Sequence, residues 1–327
     1  MSRNILVTGG AGYIGSHACK ALAASGYTLV TLDNLEAGHR AAVKWGPLVE
    51  GDLANKELLA DTLAKYQIAG VMHFAAYACV PESVENPGKY YRNNVLNSIN
   101  LLDAIAAAGV QTFVFSSTCA TYGDPEFLPL TEDHPQNPVN PYGESKLCIE
   151  NALRWYGSAH GLNVAALRYF NAAGADRDGE IGEQREMETH LVPLVIDAAL
   201  GQRPDIQVFG TDYPTPDGTA IRDYIHVTDL ADAHVLALKK LESGTGRLFL
   251  NLGTGTGASV LDIIGVVEEV TGKPVCRSLE ARRPGDPAEL VAATGLASSE
   301  LAWQPQLSDL KTIVESALKW HEGAGFP

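Results

Sequence analysis

Tyr142 and Lys146 stand four residues apart in the run Asn140-Pro141-Tyr142-Gly143-Glu144-Ser145-Lys146, which opens with a good helix cap and a proline in the first turn. On a helix that spacing puts the phenol and the ammonium on one face. A free phenol has a pKa of about 10 and is a poor base at neutral pH, but an ammonium held close favours the phenolate. Tyr142 would then be a usable proton acceptor and donor. Thr118 closes the run Ser116-Ser117-Thr118, where a strand-end hydroxyl can sit beside a reacting oxygen. Taken alone, Tyr-x-x-x-Lys is common on ordinary helices and a strand-end threonine is a backbone cap. The weight comes from what precedes them in the chain.

Thr8-Gly9-Gly10-Ala11-Gly12-Tyr13-Ile14-Gly15 contains Gly10-x-Gly12-x-x-Gly15 between an apolar run and a helix start. In that context a small backbone lets a pyrophosphate approach amide N–H groups at a helix N-terminus, where the macrodipole favours negative charge. Asp33 ends the next apolar run, 21 residues after Gly12. An acid there accepts hydrogen bonds from both ribose hydroxyls and repels a 2′-phosphate, so NAD is favoured over NADP. An oxidised nicotinamide would bring a second positive charge to Tyr142. Asp52, in Gly51-Asp52-Leu53, is placed to bond an adenine amine or, equally, to cap a helix before Asn55.

These residues need a frame. Asn4–Thr8 reads as a strand, Tyr13–Ser25 as a helix stopped by Gly26, and Thr28–Asp33 as a second strand. The alternation predicts helices near Asn55–Lys65, Gly88–Ala108 and Pro141–His160, and strands at Gly70–Phe74, Thr112–Ser116 and Asn163–Arg168. Such alternation implies an α/β fold, a Rossmann-type doubly wound parallel sheet covered on both faces. After Tyr169 the texture turns to glycine, charge and proline, with helices near Thr189–Leu200, Val260–Thr271 and Ser308–His321. The expected division is a cofactor domain over 1–170 and a smaller α/β substrate domain over 171–327, with roughly 222–250 returning to the first.

Composition narrows the classes. The chain of 327 residues is 46% hydrophobic and 19% charged, enough for a sizeable core. A net charge of −15 opposes non-specific binding to nucleic acid or anionic lipid. Five cysteines with no CxxC pair and no membrane-length apolar run read as a reduced, cytoplasmic protein. The nine histidines show neither HxxxH nor HxH spacing, so no metal is expected. His73 reads as a core histidine, and Cys119 lacks the His and acid partners of a nucleophile. Arg222 and Arg283 sit among prolines, glycines and aromatics rather than on a charged helical face. In so acidic a chain, forked guanidinium donors at those positions suit a diphosphate, or else pair with Asp223 or Asp286.

Together these residues resemble the extended short-chain dehydrogenase/reductase superfamily, and the finer motifs are similar to its UDP-galactose 4-epimerase family. The matching stretches include Thr8–His17, Leu32–Leu35, His73–Ala76, Tyr90–Val95, Phe115–Asp124, Pro141–Lys146, Leu167–Gly174, Val208–Asp229 and Arg282–Asp286. The resemblance implies that Tyr142 takes the proton of the sugar 4-hydroxyl while bound NAD takes the hydride from carbon 4. The 4-keto sugar then turns over and receives both back on its other face. It implies Thr118 on the 4-oxygen and Lys146 on the nicotinamide ribose. Gly9, Gly12, Tyr13, Ile14, Gly15, Asp33, Asn34, Asp52, Leu53, Phe74, Ala75, Ala76, Asn93, Ser116 and Tyr169 then join Tyr142 and Lys146 around the cofactor. Of the pair Asn93 and Asn94, one belongs to the cofactor and one to the helix. For the UDP-sugar the resemblance implies Asn171 on a phosphate, Arg222 and Arg283 on the diphosphate and Asp286 on the uridine ribose, with His190, Leu191, Tyr224 and Leu290 alongside. It also implies a homodimer through the long helices.

Three departures carry information. The family's bacterial form has a lysine where this chain has Ala78, which leaves the cofactor less tightly held on that side or held by backbone. It has a tyrosine where counting from Arg283 gives Leu290, and a smaller apolar wall would admit an N-acetylhexosamine. Cys119-Ala120 stand where dehydratases of the superfamily carry an acid after the Ser/Thr, so elimination has no general acid. The alternatives to a UDP-hexose 4-epimerase are a UDP-pentose 4-epimerase and a non-catalytic NAD-binding sensor.

Overall fold

The computed structural model describes residues 4–244, 246–283, 285–323 and 325–326. It begins with strand β1 (Asn4–Thr8), helix α1 (Tyr13–Ala24) and β2 (Thr28–Asp33), followed by the short β3 (Leu48–Glu50) and α2 (Lys56–Lys65). After β4 (Gly70–His73) come α3 (Val80–Glu85), α4 (Pro87–Tyr90) and α5 (Asn97–Ala108), then β5 (Thr112–Thr118), α6 (Pro141–His160), β6 (Asn163–Tyr169) and β7 (Asn171–Ala173). The rest runs α7 (Leu191–Leu200), β8 (Ile206–Phe209), β9 (Ile221–His226), α8 (Val227–Glu242), β10 (Arg247–Leu252), β11 (Gly257–Ser259), α9 (Val260–Thr271), β12 (Arg277–Glu280), β13 (Glu289–Leu290), α10 (Gly295–Leu301) and α11 (Leu310–Glu322).

Seven strands form one parallel sheet in the order β10-β6-β5-β4-β1-β2-β3, so the α/β Rossmann-type reading holds. Its central strands are buried along nearly their whole length and apolar in their middles, because helices cover both faces. One core packs α1 and α8 against Ile5, Val7 and Val114. The other packs α2, α5 and α6 against Leu6, Val71 and Phe113. A second sheet is built on β9, with β11 antiparallel to it and β7 and β13 parallel. It shares an apolar cluster with α7, α9 and α11.

Two elements differ from the sequence reading. The expected helix over 88–108 is α4 and α5 joined by a π-helical turn at Tyr91–Leu96. Such turns often mark functional positions, and this one carries both Asn93 and Asn94. The 16-residue helix α8 was not singled out. It packs on α1 at the apolar face made by Leu22, Leu230, Leu238 and Leu241.

Candidate active site

The carboxyl edge of the seven-stranded sheet opens into a cleft of about 1110 Å³. Every residue assigned to the cofactor from sequence borders it: Gly9, Gly12, Tyr13, Ile14 and Gly15 from the β1–α1 turn, Asp33, Asn34, Asp52 and Leu53 beyond β2 and β3, Phe74, Ala75, Ala76 and Asn93 beyond β4, and Ser116, Tyr142, Lys146 and Tyr169 on the far side.

The turn is shaped for a close anionic ligand. Gly9 has φ +73°, and a Cβ there would meet the Ala75 nitrogen at 2.5 Å, while one at Gly15 would meet the Gly9 oxygen at 2.1 Å. Glycine is therefore required for the turn and for seating α1. Gly12 is the N-cap of α1 and no side chain caps it, which leaves amide donors for a ligand. Asp33 is buried, accepts from the Ala11 N–H at 3.0 Å and the Leu35 N–H at 2.9 Å, and burial raises its pKa. These features fit an NAD pyrophosphate and an adenosine ribose. Asp52 is not the helix cap: Asn55 caps α2 by accepting from Leu58. Asp52 instead accepts from Asn34 at 3.0 Å and Asn97 at 3.1 Å, which fixes it in the cleft wall. Asn93 faces the cleft. Asn94 is buried, bonding both backbone groups of Tyr77 and the Ser145 hydroxyl.

At the other end α6 starts from its Asn140 cap, which accepts from Gly143 at 2.9 Å. Gly143 lets the helix touch the loop after β5, since a Cβ there would meet the Ala120 oxygen at 2.4 Å. This brings Tyr142 close to Thr118, whose hydroxyl favours the phenolate. The expected lowering of the phenol by Lys146 does not appear. Burial pushes Tyr142 up to about 12, opposed by the Thr118 hydroxyl and the charge of Arg185. The Lys146 ammonium donates to the Ser116 carbonyl at 2.8 Å, lies 6.0 Å from the centroid of the Tyr142 ring and is pulled by burial down to about 7. Desolvation outweighs an i, i+4 charge at this depth. Ser116 also bonds the Tyr169 phenol.

Beneath these groups lies a support. Arg168 of β6 pairs with Glu150 of α6 at 2.7 Å with both side chains fully buried. Ser117 donates to Glu150, and Arg168 donates to the Tyr122 phenol at 2.9 Å. His73 is buried, with its two nitrogens bonded to Thr8 and Ser98.

The substrate set is not in this cleft. Of its members among the described residues, only Tyr142 lines it. Asn171 pairs with Tyr224 across β7 and β9, and Arg222 pairs with Leu290 across β9 and β13. Arg222 forms an ion pair with Asp286, and Arg283 lies over Phe209 at 3.8 Å. Pro284, in the same Arg-Pro-Gly-Asp stretch, lies outside the described residues. Tyr224 is buried in an apolar core that Leu191 borders, and His190 stands at the N-terminal boundary of α7 without capping it, its ring turned to Glu183 at 2.8 Å. The link to the catalytic end is Leu290, which packs on the cluster of Cys119, Tyr122, Leu130, Phe170 and Ala292, next to Thr118. The sequence reading missed Glu36, Tyr77, Lys89, Gln184, Arg185 and Phe326, all of which line the cleft. They meet only through tertiary contacts; the one local signal was the charged run Glu183–Glu188.

Residues 5–253 match the model of the NAD dependent epimerase/dehydratase family. The chain belongs to that family. A UDP-glucose 4-epimerase of Rhizobium meliloti (strain 1021) is 52% identical over 320 residues, spanning 98% of this chain and 97% of the relative. The crystal structure of UDP-glucose 4-epimerase from Brucella ovis in complex with NAD superposes with a TM-score of 0.95 at 52% identity, covering 96% and 97% of the two chains. The UDP-Glc/GlcNAc 4-epimerase of Campylobacter jejuni gives 0.86 at 38% identity, covering 98% and 99%. Membership makes NAD the cofactor of the cleft, in agreement with the glycine turn and Asp33. No helix among the described residues is long and apolar enough to cross a membrane.

Proposed function

We propose that this chain is an isomerase that inverts carbon 4 of a UDP-hexose through a transient 4-keto sugar, interconverting UDP-glucose and UDP-galactose. The observation that carries the reading is that the Tyr142 phenol lines the far end of the NAD cleft beside Lys146 and Ser116, with Thr118 closing the same strand β5. When bound, NAD supplies the acceptor and later the donor of the hydrogen on carbon 4, together with a positive charge that favours the phenolate. Thr118 orients the sugar 4-oxygen. Tyr142 accepts its proton and returns it to the oxygen after the ring has turned. Lys146, anchored on Ser116, orients the cofactor ribose. Cys119 and Ala120 offer no acid to a leaving hydroxyl, so the keto sugar is reduced again rather than dehydrated.

On this reading Arg222 and Arg283 hold the diphosphate and Asp286 the uridine ribose, with Asn171, His190, Leu191 and Tyr224 completing the UDP side. The ion pair of Arg222 with Asp286 supports it, because both groups already occupy one spot that a diphosphate can enter by replacing the carboxylate. Leu290 forms the sugar-pocket wall, and its packing beside Cys119 favours acceptance of N-acetylhexosamines as well. We read 1–170 as the cofactor domain and 171–327 as the substrate domain; the pairing of β10 with β6 and the packing of α8 on α1 support the return of roughly 222–250. A homodimer, suggested by exposed Tyr91, Leu96 and Trp155 on the π turn and α6, and a cytoplasmic location complete the reading. Incubation of the purified protein with UDP-galactose should yield UDP-glucose; no conversion even with added NAD overturns the assignment.

A further inference from the structure

In the sheet, β2 and β4 lie on either side of β1. The loops that follow them therefore flank the glycine turn, and both line the cleft. They are joined to each other. The Tyr77 phenol, from the loop after β4, donates to the Glu36 carboxylate, from the loop after β2, at 2.5 Å. Tyr77 is well braced for this reach. Its backbone N–H and C=O are held by the buried Asn94 amide at 2.9 and 3.0 Å. Its ring carries the Lys89 ammonium 4.0 Å from the centroid, and that ammonium is fixed by Glu82 at 2.7 Å. Burial, followed by the bond to Glu36, pushes the phenol upward, so it remains a donor at neutral pH.

A hydrogen bond between a half-buried phenol and an exposed carboxylate at the protein surface contributes little to folding. This one spans the path that a dinucleotide must follow from Asp33 to Tyr142. We propose that Tyr77 and Glu36, braced by Lys89, form a clasp over the bound NAD that slows its departure. The inference rests on the cleft being the NAD site.

The test is the dissociation rate of NADH loaded on the full-length enzyme, followed by loss of bound-cofactor fluorescence on mixing with excess NAD. Tyr77→Phe and Glu36→Ala should each raise it about tenfold, the scale of a hydrogen bond to a charged acceptor. The double variant should be no faster than either single one, because both break the same bond. The Tm of the cofactor-free protein should not move, which separates a clasp from general loop support. Rates within twofold of the parent, or rates that multiply in the double variant, overturn the clasp while leaving the NAD site intact. Failure of the parent protein to bind any NADH overturns the site and the clasp together.

Discussion

Lys146 donates to the carbonyl oxygen of Ser116 at 2.8 Å, so the ammonium is tied to the end of β5 rather than to the phenol one turn away. Burial holds it down to about 7, well below the ordinary lysine value. The folded state thus sheds this proton before the unfolded chain does. Its contribution to stability rises as pH climbs from about 7 toward the ordinary lysine pKa of about 10.4, because the unfolded chain binds the extra proton over that window. NMR of ¹³C-labelled lysine in the NAD-free protein should show one side chain titrating near neutrality, absent in Lys146→Met. A resonance titrating with the surface lysines contradicts it.

Tyr142→Phe should retain NAD and lose about two orders of magnitude or more in turnover, the usual size of a general acid–base contribution. Thr118→Val should lose turnover with little change in NAD content, since its hydroxyl favours the phenolate of Tyr142 and the residue does not line the cofactor cleft. Near-parental turnover in Tyr142→Phe removes the phenol from the mechanism.

Glu150→Ala strands the buried guanidinium of Arg168. Breaking a buried pair from one side costs about 3–5 kcal/mol, readable as a shift of the urea midpoint. A cost of a few tenths of a kcal/mol would mean that water reaches the site. The pair ties α6 to β6, so turnover should fall with stability.

Leu290→Tyr should depress activity on UDP-N-acetylgalactosamine more than on UDP-galactose, since the larger ring fills space beside Cys119 and Phe170. An unchanged ratio of the two activities places the pocket wall elsewhere.

Much of this was readable from local pattern. The glycine spacing, the acid after β2 and the capped start of α6 are short-range signals, and each landed in the cleft. What local pattern could not deliver was depth. Tyr142 and Lys146 were read as a charge pair on a helix face, yet the desolvation that dominates both depends on the packing of α6 against β5. Tyr77 and Glu36 are 41 residues apart and meet only because β1 lies between their strands. Arg222 was open between diphosphate ligand and ion pair; its proximity to Asp286 is set by the turn before β13, which no periodicity marks.

The edge strand β10 is contributed by residues 247–252, after the chain has already laid down β7, β8 and β9. During synthesis, β6 therefore waits with an unpaired edge, and the outer face of α1 stays bare until α8 emerges. Such edges invite mispairing. A nascent chain stopped near residue 220 would be sticky even though its glycine turn and Tyr142 are already made, and the nucleotide-binding half should become protease-resistant only once α8 and β10, through residue 252, have emerged.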